Sequence, residues 1–159
     1  MANFEFTQLG IIHSPYKQKE GLRIQSAFSK EKGTIEVFDQ YLEGLDNLNE
    51  FSHIIILYLF HKALPWKLHQ KPFLSDSPKG IFSIRSPNRP NPIGFSVVRL
   101  LKIEENKITV EGIDVLDKTP LLDIKPYVPD FDSFPQASQG WIQGKIDEKE
   151  TPISDNRFS

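Results

Sequence analysis

Cysteine is absent from the 159 residues, which rules out disulfides, thiolate zinc sites and cysteine nucleophiles and fits a reducing cytoplasm. No excess of one charge exists either: 19 Lys and Arg stand against 21 Asp and Glu, for a formal net charge of −2. The chain is therefore no polycation, and any contact with nucleic acid must use a local patch. The longest apolar run, Ile54 to Phe60, is far shorter than the ~20 residues a membrane helix needs. The N-terminus lacks the basic and apolar regions of a signal peptide, so a soluble cytoplasmic protein with no membrane partner is expected. Gly44 and Gly94 stand alone, and no glycine-rich fingerprint follows a strand, which removes dinucleotide and phosphate-loop readings. His13, His53, His61 and His69 lack ligand spacing, so no metal is expected, and no Gly-x-Ser-x-Gly nucleophile motif occurs.

What is present repeats with period two. Phe4–Ile12 reads as a first strand, Thr34–Phe38 as a second, and Ser52–Phe60 as a β-branched and aromatic strand buried on both faces. Ile81–Ile84 reads as a short strand entering a proline-rich loop. Phe95–Ile103 and Lys107–Ile113 form a predicted hairpin across Glu104–Asn106, and Leu121–Lys125 reads as a further strand. Only Asp39–Glu50 has helical character. Many short strands without a βαβ rhythm predict an all-β fold, a small closed or nearly closed β-barrel with short connecting helices. The barrel domain is expected over residues 1–140, with 141–159 a tail, flexible or packed on a partner subunit.

Two segments concentrate the chemistry. Pro87, Pro90, Pro92 and Gly94 fix the path of a loop carrying Arg85, Asn88, Arg89 and Asn91, a set rich in donors. Asp114 to Tyr127 supplies the carboxylates Asp114, Asp117 and Asp123, together with Lys125 and Tyr127. A third segment interleaves cations and rings: Lys62, Trp66, Lys67, His69, Lys71, Phe73 and Lys79. That pattern suits a phosphate backbone with a stacked base, but equally an exposed loop with lysines lying along apolar surface. His53 reads most simply as a satisfied core histidine, whereas His61 ends its strand where a barrel rim exposes it.

Ile11-Ile-His-Ser-Pro-Tyr-Lys17, Phe51-Ser-His53, Arg89-Pro-Asn-Pro-Ile-Gly94 and Asp123-Ile-Lys-Pro-Tyr127 together resemble the TsaA-like (TrmO) family of S-adenosylmethionine-dependent tRNA methyltransferases. The resemblance covers residues from about 4 to 135. It implies a homodimeric β-barrel with S-adenosyl-L-methionine near the subunit interface and tRNA as partner. The methyl acceptor it implies is the exocyclic nitrogen of threonylcarbamoyladenosine beside the anticodon. By the same resemblance the cofactor site draws on Arg23, Gln25, Ser26 and Ala27, on His61 and Lys62, and on Arg85 and Phe95, with Gly112, Ile113 and Asp114 completing it. Three departures are visible: Arg23-Ile-Gln-Ser26 replaces the usual Arg-Gln-Pro, Asn88 stands where many relatives carry an aromatic or small residue, and Lys118 where many carry glycine. Longer members continue into a C-terminal domain thought to grip tRNA, whereas this sequence ends at Ser159.

The implied acceptor nitrogen belongs to a urea-like linkage and is a poor nucleophile until it loses its proton, so a nearby carboxylate or imidazole is wanted as general base. Asp114 ranks first as a pocket carboxylate. Asp123 and Lys125 follow as a catalytic or structural pair. Two alternatives stay open: methyl transfer to another RNA or a small molecule, and a non-enzymatic cofactor- or RNA-binding barrel.

Overall fold

A computed structural model describes residues 1–18 and 29–146. Six strands close into a barrel: β1 (Gly10–His13), β2 (Lys32–Val37), β3 (His53–Leu59), β6 (Ile93–Glu104), β7 (Lys107–Glu111) and β8 (Thr119–Pro126). Their order around the barrel is β1-β2-β7-β6-β3-β8, every pairing antiparallel. A separate two-stranded ladder, β4 (His69–Gln70) with β5 (Lys79–Gly80), lies in the long β3–β6 connection. Among the described residues helix is confined to short pieces, namely the four-residue α1 (Pro129–Asp132) and several 3₁₀ turns. Among the described residues no helix is long and apolar enough to cross a membrane.

Alternation places one face of each strand inside. Ile12, Ile35, Ile54, Ile56, Ile108, Val110 and Leu121 are all fully buried and fill the barrel. The twelve-residue β6 closes it by bending. Ile93 to Arg99 pairs with β3, and the strand then turns to pair with β7. The register shifts between Leu100 and Lys102, a bulge at the corner where one strand serves two neighbours.

Several expectations need correction. The first strand starts at Gly10, not Phe4, and Phe4 and Phe6 are exposed. Beyond the Gly10–Leu121 pair, β8 pairs with β3, and residues before Leu9 pair with no strand among the described residues. In β3 only Ile54, Ile56 and Tyr58 are buried; Ile55, Leu57 and Leu59 face the outer wall and are half-covered. A run apolar on both faces thus belongs to a one-sided strand. Ile81–Ser83 is a 3₁₀ turn rather than a strand. Asp39–Leu45 and Leu48–Glu50 are two 3₁₀ segments separated at Asn47, whose φ of 66° ends any continuous helix. The hairpin after β6 does form, turning at Glu105 with φ 54°. Most of the expected tail, residues 147–159, lies outside the described residues. The part before it is attached, since Trp141 Nε1 donates to the Ser83 carbonyl at 2.8 Å.

Asp117 locks the start of the chain to the β7–β8 connection. Its carboxylate accepts from Ser14 N at 3.0 Å and from Lys17 Nζ, and the Ser14 hydroxyl donates to the Val115 carbonyl at 2.6 Å. The Lys17 hydrogen bond, followed by that of Ser14, holds the Asp117 carboxyl below its ordinary value of 3.8. A lowered carboxyl stabilises the fold at pH above its unfolded value, and that contribution is lost as pH falls through the lower folded value. Acid unfolding followed by circular dichroism should therefore show wild type losing more stability below pH ~4 than Asp117→Asn, which has no charge to lose.

Gly94 is a second fixed point. A Cβ built there would lie 2.0 Å from the Tyr58 ring, its cross-strand partner. Gly94→Ala should cost about 2–3 kcal/mol in urea unfolding, the upper part of the overpacking range. Gly44→Ala, where an added Cβ meets nothing within 4 Å, should stay within about 1 kcal/mol of wild type.

Candidate active site

The strand faces that point away from the barrel core build a cleft of about 510 Å³. Its floor is the outer face of β6, with Phe95, Val97 and Arg99 at period two. His53 opens β3 directly opposite Arg99, and Tyr127, just past β8, closes that end with its ring 6.3 Å from the His53 imidazole. Glu111 and Gly112 bring in the end of β7, Arg85 the start of the proline loop, and Ser29 the far side.

Local geometry explains several of these positions. Gly112 takes φ 99°, a conformation side chains rarely adopt, while its N–H and that of Ile113 both donate to the Glu31 carbonyl at 3.0 and 3.2 Å. The chain can then leave β7 sharply and carry Asp114 behind the cleft. Asp114 is 8% exposed and accepts from the Ser96 hydroxyl at 2.7 Å. Ser96 has one proton, given to Asp114, so the Tyr58 hydroxyl donates to Ser96 Oγ at 2.9 Å. Burial first, and then the Asp114 charge, push the Tyr58 phenol well above its ordinary value, with Arg85 acting weakly the other way. Tyr58 is thus a neutral donor at any physiological pH.

The cleft carries both signs. Arg99 lies 3.7 Å from Glu111, a loose pair across β6 and β7. His53 Nδ1 is engaged by the Ser52 hydroxyl at 2.8 Å. Cationic, anionic, imidazole and aromatic groups on an apolar floor match the mixed demands of a zwitterionic ligand bearing a flat ring system. The volume falls within the ~300–1,000 Å³ of small-molecule pockets.

Set against the residues named from sequence, Arg85, Phe95 and Gly112 line this cleft, and Asp114 sits one hydrogen bond behind it. Ile113 is fully buried in the core. His61 and Lys62 are exposed after the end of β3 and are not among the lining residues. Partial burial of its ring, then the neighbouring Lys62 charge, lower the His61 pKa. Asp123 and Lys125 form an ion pair at 2.8 Å on β8, opposite Leu57 and Ile55 and outside the cleft lining. Arg23, Gln25, Ser26 and Ala27 lie outside the described residues; Ser29, the first described residue after them, lines the cleft.

His53 overturns its reading as a core histidine: it is half-exposed and lines the cleft. Arg99, Glu111 and Val97 were not singled out beforehand. A signal existed, since the alternation that turns Phe95 outward also turns Val97 and Arg99 outward. The donor-rich proline loop also divides. Arg85 serves the cleft, whereas Arg89 Nη1 donates back to the Ile84 carbonyl at 3.0 Å and Asn88 is buried as a brace.

The described residues form a closed six-stranded barrel whose polar-rimmed cleft, of a size that suits a small molecule, lies on the outer wall rather than in the mouth. The chain belongs to the tRNA-methyltransferase O N-terminal domain family, whose model matches residues 11–133. It is 44% identical over 154 residues to a probable S-adenosyl-L-methionine-binding protein of Pyrococcus abyssi, covering 96% of this chain and 84% of that one. It is 36% identical over 154 residues to the tRNA (adenine(37)-N6)-methyltransferase of Escherichia coli K12, covering 90% of this chain and 66% of the other. A crystal structure of TrmO from Pseudomonas aeruginosa superposes with a TM-score of 0.75 at 35% identity, over 89% of this chain and 62% of that chain. The chain therefore spans less than two thirds of the length of these last two relatives.

The hydrogen-bonded chain behind the cleft gives a direct test. Ser96→Ala removes the bridge between Tyr58 and Asp114 and should cost about 1–3 kcal/mol in chemical denaturation, while Ser96→Thr should retain part of that stability through its hydroxyl.

Proposed function

We propose that this chain is an S-adenosylmethionine-dependent tRNA methyltransferase that methylates the exocyclic nitrogen of threonylcarbamoyladenosine beside the anticodon. The observation that carries the reading is the outer-wall cleft in a chain of this family, where Arg85, Phe95 and Gly112 converge. S-adenosylmethionine supplies an electrophilic methyl on a positively charged sulfur, together with a carboxylate, an ammonium, a ribose diol and an adenine. The residues present suit those groups. Arg85 offers a two-pronged donor to the carboxylate, Glu111 an acceptor to the ammonium or the ribose hydroxyls, and Phe95 an apolar wall to the adenine. Arg23, Gln25, Ser26 and Ala27, with His61 and Lys62 at the rim, are proposed to complete the pocket.

Transfer forms a nitrogen–carbon bond as the carbon–sulfur bond breaks; the sulfur keeps the electron pair, and the acceptor nitrogen gives up one proton. Alignment and exclusion of water do most of this work. The protein must also take the proton. His53 is the imidazole in the cleft, and in the tautomer whose Nδ1–H donates to Ser52 Oγ its Nε2 is the nitrogen proposed to take the proton. Asp114 is proposed to act through Ser96, fixing the β6 floor, and the Asp123–Lys125 pair to meet the polar threonyl group from the neighbouring strand. A homodimer is part of the reading. Ile93 and Phe95 are 38% and 48% exposed on the same outer face, an apolar strip beside an open cleft that a second copy would cover.

Three measurements follow. Calorimetry should give S-adenosylmethionine binding near −8 kcal/mol, with Arg85→Ala weakening it by roughly 1.5–3 kcal/mol. Labelled methyl should pass to tRNA carrying the threonylcarbamoyl group and not to tRNA lacking it. Full activity of a sedimenting monomer at micromolar concentration would remove the dimer.

A further inference from the structure

The connection between β3 and β6 presents, beyond Lys62 at the proposed rim of the pocket, a surface that the cleft does not use. Leu64, Trp66 and Leu68 are 39%, 48% and 60% exposed, and Lys62, Lys67 and Lys71 are exposed between and beside them. Connections are the more mobile part of a fold, so side chains displayed on one hold a fixed position only where the backbone is tied down. Here the backbone that carries them is braced from behind. Asn88 is 7% exposed and its amide oxygen accepts from Leu64 N at 2.7 Å. The Gln70 amide donates to the Asn88 carbonyl at 2.6 Å and accepts from the Ser86 hydroxyl at 2.7 Å. Ile81 N donates to the Leu68 carbonyl at 2.9 Å, just beyond the β4–β5 ladder. Each end of the exposed stretch is thus tied down, and its side chains are displayed at fixed positions.

Charge selects the partner. Lys62 to Lys79 contains four lysines and a single acid, Asp76, in a chain of net charge −2. Among the described residues Lys62 and Lys67 form no ion pair, and Lys71 stands 4.0 Å from a fully exposed Asp76, too loose to neutralise it. Lys79 differs: it lies 5.8 Å over the Trp141 ring and donates to Ser77 Oγ, so it belongs to another cluster. A second copy of this chain docking here by a two-fold axis would oppose lysines with lysines, which is repulsive. A polyanion bearing flat, unstacked rings fits both the lysines and the tryptophan.

We infer that the loop from Lys62 to Lys71 is a rigid RNA-docking platform: Trp66 stacks an unpaired base, and Lys67 and Lys71 meet backbone phosphates. Ser86 and Asn88 hold this platform, and one residue before them Arg85 lines the cleft, so grip on the RNA and the wall of the cleft share one braced segment. The inference rests on the tRNA reading above and names the surface through which this chain takes that partner.

The test uses the full chain and tRNA carrying the threonylcarbamoyl group, with binding followed by fluorescence anisotropy across a salt series. Lys67→Gln/Lys71→Gln should lower the log–log salt slope by roughly 1.4–1.8, at about 0.7–0.9 per phosphate contact. Trp66→Ala should weaken binding on the order of tenfold or more while leaving the slope as it was. Both variants should bind S-adenosylmethionine like wild type, which also shows that they are folded. Wild-type affinity and slope in both variants would overturn the platform and leave a solvated loop. A wild-type dimer that Trp66→Ala converts to a monomer in sedimentation would overturn it in favour of an interface between copies. Wild type that binds S-adenosylmethionine but no tRNA would defeat the functional reading itself, and the platform with it.

Discussion

The contact on which most of this structure turns is the approach of the Tyr58 ring to Gly94. No side chain fits between β3 and β6 at that pair, so the ring lies over the bare backbone and its hydroxyl reaches Ser96, two residues further along β6. Ser96 then donates to Asp114, which follows the sharp exit of the chain at Gly112. One buried polar chain therefore ties together β3, the strand β6 that floors the cleft, and the segment that follows β7. Such a network is stabilising when every member is satisfied and costly when one is lost. The buried side-chain polar atoms among the described residues all have hydrogen-bond partners.

With the inner face committed to that network and to an aliphatic core, chemistry moves to the outer face. Alternation makes this possible at no cost in core packing, because residues that line the cleft and residues that fill the barrel take turns along the same strand. In β6, Ser96 and Val98 look inward while Phe95, Val97 and Arg99 look out. The bulge near Leu100 then swings the strand so that Arg99 stands between His53 on one neighbour and Glu111 on the other. The small cluster of opposed charges follows from a bend in the backbone.

The proline loop divides its labour for a related reason. A segment with three prolines cannot relax freely onto its surroundings, so its polar groups must find partners along the path it has. Arg89 closes the loop on itself, Asn88 and Ser86 brace the neighbouring connection, and Arg85 alone among the loop's donors lines the cleft. Rigidity is thereby shared between the cleft and the exposed Trp66 surface.

Period-two patterning in the sequence was enough to determine an all-β barrel and most of its strands, since alternation of apolar and polar side chains is local physics. Proline and glycine spacing marked the loop at residues 85–94 as constrained, and the motifs there and at 123–127 were specific enough to indicate the family. Tertiary structure decided the rest. Whether Ile55 and Leu57 faced a core or an outer wall depended on barrel closure, not on their hydrophobicity. The extent of the first strand depended on where β8 changed partners, and the form of Ile81–Ser83 on a turn that propensity does not encode. His53 and Arg99, 46 positions apart in sequence, face each other only because β3 and β6 pair in that register. A site assembled from the outer faces of three strands is a property of register and bend, both set by long-range pairing, and a chain read one residue at a time carries only the alternation from which they are built.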